Sequence, residues 1–217
     1  MAVNQIWGVA HASKKELNTV IDKLIERKPS LVGLELTEDC VRVFEEEGCY
    51  DPFFYPIAQQ LEKMKIGWSP LESTELSDRY KALTWAQYVK QGQITRESIQ
   101  NRLLEMSMKY PHLKSLRHQH KLALKALDSI KTLEEIVARL DQCVAQRNNY
   151  MANRINSLHP DLVIMGHQHG KAIAEKLQDY QCIDVYLEFG LGPSCPEGEV
   201  DLPSNDLYEH REAEFFS

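Results

Sequence analysis

The chain has 217 residues, 43% of them apolar, and a formal net charge of −7 with acids and bases interspersed. This composition supports a packed core in one large domain and excludes a disordered protein. No basic stripe is present to neutralise phosphates or an anionic membrane, and no apolar run approaches the ~20 residues that cross a bilayer, so the expectation is no nucleic-acid partner and no membrane.

In chain order, "QIWGVAH" predicts a short buried strand ending in His11, reached at once from the amino terminus with no basic leader. The next segment, "ASKKELNTVIDKLIERKP", predicts a helix: Ser13 and Glu16 fit a capping box, and Leu17, Val20, Ile21, Leu24 and Ile25 recur at helical spacing. Pro29 stops it, and "SLVGLEL" predicts a second buried strand. Strand, helix and strand in succession predict a βαβ unit whose two strands are parallel neighbours. A short helix over 38–48, a helix over 56–65 and a weaker strand in "KIGWSP" follow.

From about Ser73 to Leu158 the pattern is all helical, with segments over 75–90, 95–109, 112–130 and 132–157. Strand periodicity returns in "DLVIMG", then a helix over 171–179 and a strand in "CIDVYLEF"; from Gly190 onward the chain is rich in Pro, Gly and acids and reads as irregular. The expected fold is α/β: a central sheet flanked by helices, with a βαβ start and a large all-helical insertion between two halves. The expected division is 1–72 for the first half of the core, 73–158 for the helical cap and 159–217 for the second half and tail, in one structural domain. The five cysteines, Cys40, Cys49, Cys143, Cys182 and Cys195, are odd in number and lack a CxxC pair. They fit reduced thiols in a cytoplasmic chain rather than a disulfide framework.

In open α/β sheets ligands gather beyond the carboxyl ends of the strands. Those ends deliver His11 from the first strand, Glu35 and then Glu38 and Asp39 from the second, and His167 and His169 from the late strand. Imidazoles and a carboxylate suit a divalent metal, and equally suit general acid–base work without one. A structural histidine is the alternative for His11. Glu35 interrupts the apolar run "LVGLEL", and an unpaired buried carboxylate costs on the order of several kcal/mol, so it needs a partner or a task. His167 and His169 stand one residue apart in what reads as an extended segment, and the sequence singles out at most one of them. On the last long helix, Leu133, Val137, Leu140, Val144, Met151 and Ile155 form an apolar stripe on which Arg147 also falls, followed by Asn148 and Asn149. Such an arginine needs an acid or a bound anion. "RHQHK" at 117–121 repeats the HxH spelling within a helix and reads as a solvated face.

Two families resemble these motifs. "GHQH" is similar to the closing GHxH of calcineurin-like metallophosphoesterases, but no aspartate stands two residues before His11 and no GDxxD or GNHD/E occurs. The stretch "IWGVAHASKKELNTVIDKLIERKPSLVGLEL" resembles the amino-terminal signature of the TraB/PrgY and TIKI family, which groups with erythromycin esterase-like and ChaN-like proteins. Gly8 and His11 match its G-x-x-H motif, Glu35 matches its strand acid, and "QRNNYMANRI" resembles its helix motif through Arg147, Asn148, Met151 and Ala152, with Gln146 where the family often has glutamate. "VIMGHQHGKAI" resembles its second histidine motif in two registers, Gly166-His167 with Gly170, or Gly166 with His169. The first keeps strand and trailing glycine in phase and favours His167.

The resemblance implies a hydrolase of peptide or ester bonds acting on a small-molecule or peptide substrate. It implies a divalent metal (Mn, Zn or Co) held by His11, Glu35, His167 and His169, or water activation by the same groups without metal. Arg147 and Asn148 would contact substrate, Arg147 holding a carboxylate or the oxyanion. A non-catalytic binding or regulatory protein on the same fold is the alternative, and a homo-oligomer is compatible with either.

Overall fold

The computed structural model describes residues 4–11, 13–40, 51, 53–109, 111 and 114–192. Among these residues five strands form one sheet: β1 (Asn4–Val9), β2 (Leu31–Thr37), β3 (Gly67–Glu72), β4 (Leu162–Gly166) and β5 (Tyr180–Asp184). Every pairing is parallel and the order is β3-β2-β4-β1-β5. The fold is α/β, a parallel sheet flanked by helices.

Helix α1 (Lys14–Arg27) starts where the Ser13 hydroxyl accepts the Glu16 N–H at 3.1 Å, and ends at Lys28 in the left-handed region, just before Pro29. Its buried positions, Glu16, Val20 and Leu24, lie at helical spacing and face the sheet. With α2 (Phe54–Met64) it covers one face, packing on Trp7, Val9, Val32, Leu34, Leu162 and Ile164. Leu24 is fully buried there, so Leu24→Ala would cost roughly 2–5 kcal/mol. Strand alternation sends Ile6, Val163 and Met165 to the other face. There they meet Met151, Ala152 and Ile155 of α6 (Leu133–Leu158) and Ile173 of α7 (His167–Ala174).

Four helices lie between β3 and β4: α3 (Thr74–Lys90), α4 (Arg96–Lys109), α5 (Lys114–Ser129) and α6. They share a second core built on Ala82, Leu83, Ala86, Ile99, Ala123 and Ile136. Helix α6 belongs to both cores, its first half inside the helical block and its second half on the sheet. The apolar stripe is therefore rotated from its expected line: Ile136 and Cys143 are buried, whereas Val137 is exposed. In "RHQHK", His118 is exposed but His120 is buried, its ring 5.4 Å from that of Trp85, so this face is not uniformly solvated.

Strands β1 and β2 are parallel, as expected, but they are not neighbours. Strand β4 lies between them, with Trp7 and Leu34 both in register with Ile164. A βαβ pattern fixes direction, not adjacency, and the apolar run Leu162–Met165 fills the central place where both of its faces are covered. Two further elements differ from expectation. The HQH segment is not extended, because α7 begins at His167 directly after Gly166 and ends at Ala174 rather than spanning 171–179. Strand β5 ends at Asp184, whose carboxylate accepts the Tyr186 N–H at 2.9 Å and caps the one-turn helix α8 (Val185–Glu188), where a longer strand was expected. Most of the helix expected over 38–48, and the tail from residue 193, lie outside the described residues.

Among the described residues no helix is long and apolar enough to cross a membrane, and Cys40, Cys143 and Cys182 form no disulfide.

Candidate active site

The insertion of β4 between β1 and β2 puts three chain segments side by side at the carboxyl edge of the sheet. A Cβ built on Gly166 would lie 3.2 Å from Glu35 Oε2, 3.6 Å from His169 Cδ2 and 3.9 Å from His11 Cε1. The groups from three strand ends thus converge over one glycine, and any side chain there would fill the space between them. Gly166 also donates its N–H to Glu35 Oε2 at 2.5 Å.

Glu35 is held from its other oxygen too. Arg147 Nη2 donates to Glu35 Oε1 at 3.3 Å, and Arg147 Nε donates to Glu72 Oε1. The guanidinium lies 4.6 Å from the centre of the Tyr80 ring. Arginine between two buried carboxylates and an aromatic face satisfies the need for a partner created by each of these charges. Burial opposes the charge on Arg147, but Glu72 and Glu35 outweigh it and raise its pKa further. Burial likewise pushes the Glu35 carboxyl up, yet His169, Arg147, His11 and the Gly166 N–H together hold it below the usual carboxylate range.

His169 sits against this pair. Its Nδ1 is 2.5 Å from Asn148 Oδ1 and its Nε2 is 3.7 Å from Glu35 Oε1. An amide oxygen only accepts, so Nδ1 carries the hydrogen and Nε2 of the neutral ring presents a lone pair. Burial, helped by the charge of Arg147, lowers the His169 pKa against the opposing pull of Glu35 and Glu72.

His11 follows β1 with φ 58°, the left-handed region that a non-glycine residue rarely occupies. Its ring lies 4.7 Å from Phe54 and 5.1 Å from Phe53, and its Nε2 is buried without a hydrogen-bond partner among the described residues.

His167 faces elsewhere. Its Nε2 is 3.8 Å from Asp184 Oδ2, and its Nδ1 lies 2.6 Å from where a Gly8 Cβ would be. The structure therefore brings His11, Glu35, Arg147, Asn148 and His169 together and turns His167 toward β1 and β5. The GHQH pair diverges because residues two apart on a helix point to different sides. Glu38 is exposed and pairs with Arg154 at 3.4 Å, and Asn149 accepts from Lys176 at 2.5 Å.

Glu72 and Tyr80 were not anticipated. Glu72 carries the signature that marked Glu35, an acid directly after a buried strand residue, Leu71, but the strand expected there, "KIGWSP", stops at Pro70, two residues short of it.

The described side chains around Glu35 are not arranged to hold a divalent metal. Among the described residues no group of three or more His, Cys, Asp and Glu side chains is placed to hold one. Both Glu35 oxygens accept hydrogen bonds, and a guanidinium stands beside the carboxylate that would have to bind a cation.

A cavity of about 980 Å³ lies beside the cluster rather than around it. Thr37, Thr74 and Gln146 on its wall are each within two residues of Glu35, Glu72 or Arg147, while helices α3, α5 and α6 supply Leu83, Leu122 and Cys143. The volume is at the upper end of the ~300–1,000 Å³ of small-molecule pockets.

No family model matches the chain, and no curated protein matches it. Among solved structures it is similar to an erythromycin esterase mutant in its open conformation, with 12% identity and a TM-score of 0.39 over 83% of this chain and 69% of that one.

Proposed function

We propose that the protein is a hydrolase of ester or peptide bonds in which His169 is the general base, working without a bound metal. The observation that carries this reading is the contact of His169 Nδ1 with Asn148 Oδ1: with the amide oxygen accepting there, Nε2 is the basic atom, and the Glu35 carboxylate lies 3.7 Å from it. A histidine held neutral beside a carboxylate is equipped to take a proton and be stabilised when it does.

In this mechanism His169 Nε2 removes a proton from water as the water oxygen forms a bond to the substrate carbonyl carbon. The carbonyl electron pair moves to oxygen, giving a tetrahedral oxyanion, and the imidazolium is balanced by Glu35. His11 Nε2, buried and without a partner among the described residues, donates to that oxyanion. The bond to the leaving oxygen or nitrogen then breaks, and His169 returns its proton to it. Arg147, already engaged by Glu35 and Glu72, holds Glu35 in place rather than contacting substrate. The cavity beside the cluster takes the bulk of a small-molecule or peptide substrate.

The narrower assignment to the TraB/TIKI type is part of this proposal and is supported by the order of the GxxH, strand-acid, RNxxMA and second histidine motifs. The test is a panel of 4-nitrophenyl esters and chromogenic peptides assayed with the wild type, His169→Ala and Glu35→Gln. Turnover that is lost in both folded variants supports the reading. A wild type that turns over none of the panel would sink it and favour a binding protein on the same fold, and variants as active as wild type would remove His169 and Glu35 from the mechanism.

A further inference from the structure

The Glu16 side chain has a job that the amino-terminal pattern of α1 does not explain. Ser13 and Glu16 occupy the N-cap and third positions of a capping box, in which the glutamate carboxylate returns to the N–H of the capping residue itself. Half of that box is made, since the Ser13 hydroxyl accepts the Glu16 N–H. The carboxylate also reaches back beyond the cap: Glu16 Oε1 accepts the N–H of Ala10 at 2.7 Å, three residues before it. Glu16 Oε2 accepts from the Tyr186 hydroxyl at 3.4 Å, and the residue is fully buried.

The position of that bond matters. The ladder from β1 to β4 ends at Val9 opposite Gly166, so Ala10 is the first residue past the sheet. The carboxylate supplies its N–H with an acceptor where no strand does. The next residue is His11 at φ 58°. Glu16 therefore fastens the backbone directly before a residue in a disfavoured conformation, and it is itself tied to α8 through Tyr186. A local conformation of this kind persists when its surroundings over-determine it.

We propose that Glu16 is a positioning residue for His11, holding the strand end so that the imidazole stands beside Gly166 and Glu35. The proposal rests on the reading of His11 as an oxyanion donor for its activity readout, but not for its structural one.

The experiment compares Glu16→Gln, Glu16→Asp and Glu16→Leu in the full chain. It records melting temperature, kcat and KM on whichever panel ester the wild type turns over, and the His11 imidazole signals in a long-range 1H–15N spectrum. Glutamine keeps an oxygen at the same reach, aspartate is one methylene short, and leucine has no acceptor. The expected result is wild-type His11 signals and near-wild-type kcat for Glu16→Gln. For Glu16→Asp and Glu16→Leu, His11 signals shift and kcat falls about 10²-fold with little change in KM, the size expected of a catalytic group misplaced by ~1 Å. If the leucine variant fails to fold, the aspartate variant carries the comparison. Unmoved His11 signals in a folded Glu16→Asp or Glu16→Leu would overturn the proposal. His11→Ala at wild-type kcat would instead remove the catalytic reading of His11, leaving the spectra to decide positioning.

Discussion

Asn148 Oδ1 and His169 Nδ1 lie 2.5 Å apart, and this one contact decides which nitrogen of His169 faces Glu35. An acceptor at Nδ1 leaves Nε2 as the base. Replacing Asn148 with Leu removes the acceptor and frees the ring to adopt either tautomer. We expect kcat/KM to fall by roughly 10–10²-fold, the range over which loss of an orienting partner acts on a histidine. Circular dichroism should show the variant folded, and stopped-time ester assays check the rate.

Charge at the same position gives a pH prediction. Burial and Arg147 lower the His169 pKa, so the wild-type acid limb of kcat/KM lies below the ordinary histidine value. Asn148→Asp would place an anion against Nδ1, which favours the imidazolium and raises that pKa. The acid limb should therefore move to higher pH in the variant. A limb that stays put, or moves down, would remove His169 as the titrating base.

Stability should also respond to acid, and the signs can be worked through. Glu35 has a folded pKa below 4.5, so its contribution is present above the unfolded value and is lost as pH falls through the folded one. His169, with a folded pKa below 6.5, binds its proton more readily when unfolded, so folding weakens from near that pH downward. Two acid-side losses are expected, the first beginning near neutrality. Urea unfolding at stepped pH should show the upper one vanish in His169→Gln and the lower one shrink in Glu35→Gln.

Arg147 neutralises two buried carboxylates, with side-chain exposures of 7% for the arginine and 8% and 6% for Glu35 and Glu72. Arg147→Met strands both acids and should cost about 3–5 kcal/mol, because an uncompensated buried charge is worse than no charge. Adding Glu35→Gln and Glu72→Gln to that variant should recover part of the loss. Denaturant midpoints of the single and triple variants measure the difference.

Two glycines separate packing from chemistry. Alanine at Gly8 would meet His167 Nδ1 at 2.6 Å and the His167 backbone at 3.1 Å, so stability should drop by roughly 1–3 kcal/mol. The three atoms nearest an alanine Cβ at Gly166 are side-chain atoms, the first at 3.2 Å, and they belong to Glu35, His169 and His11. Gly166→Ala should stay folded and lose activity. Paired thermal melts and ester assays distinguish the two outcomes.

Much of the architecture was legible from periodicity alone. The apolar runs of β1, β2 and β4 and the long helical stretch from α3 to α6 read correctly because each pattern is local. What could not be read was the placement of β4, since hydrogen bonds from Leu162–Gly166 to residues more than a hundred positions away leave no trace in spacing. The same limit hid the site's wiring. Glu35 announced itself as an acid in an apolar run, but Glu72 lay beyond the end of the strand expected in "KIGWSP", and Glu16 read as an ordinary helix cap. The HQH segment carries no helical periodicity of its own, so nothing local signalled that α7 begins at His167.

The central place of β4 also ties the site to the middle of the sheet. Strands β1 and β2 share no edge; residues 162–166 lie between them and pair with both. The same strand ends in Gly166, and His169 follows in the first turn of α7. The proposed catalytic centre therefore depends on the innermost strand, the one whose loss would also divide the sheet in two.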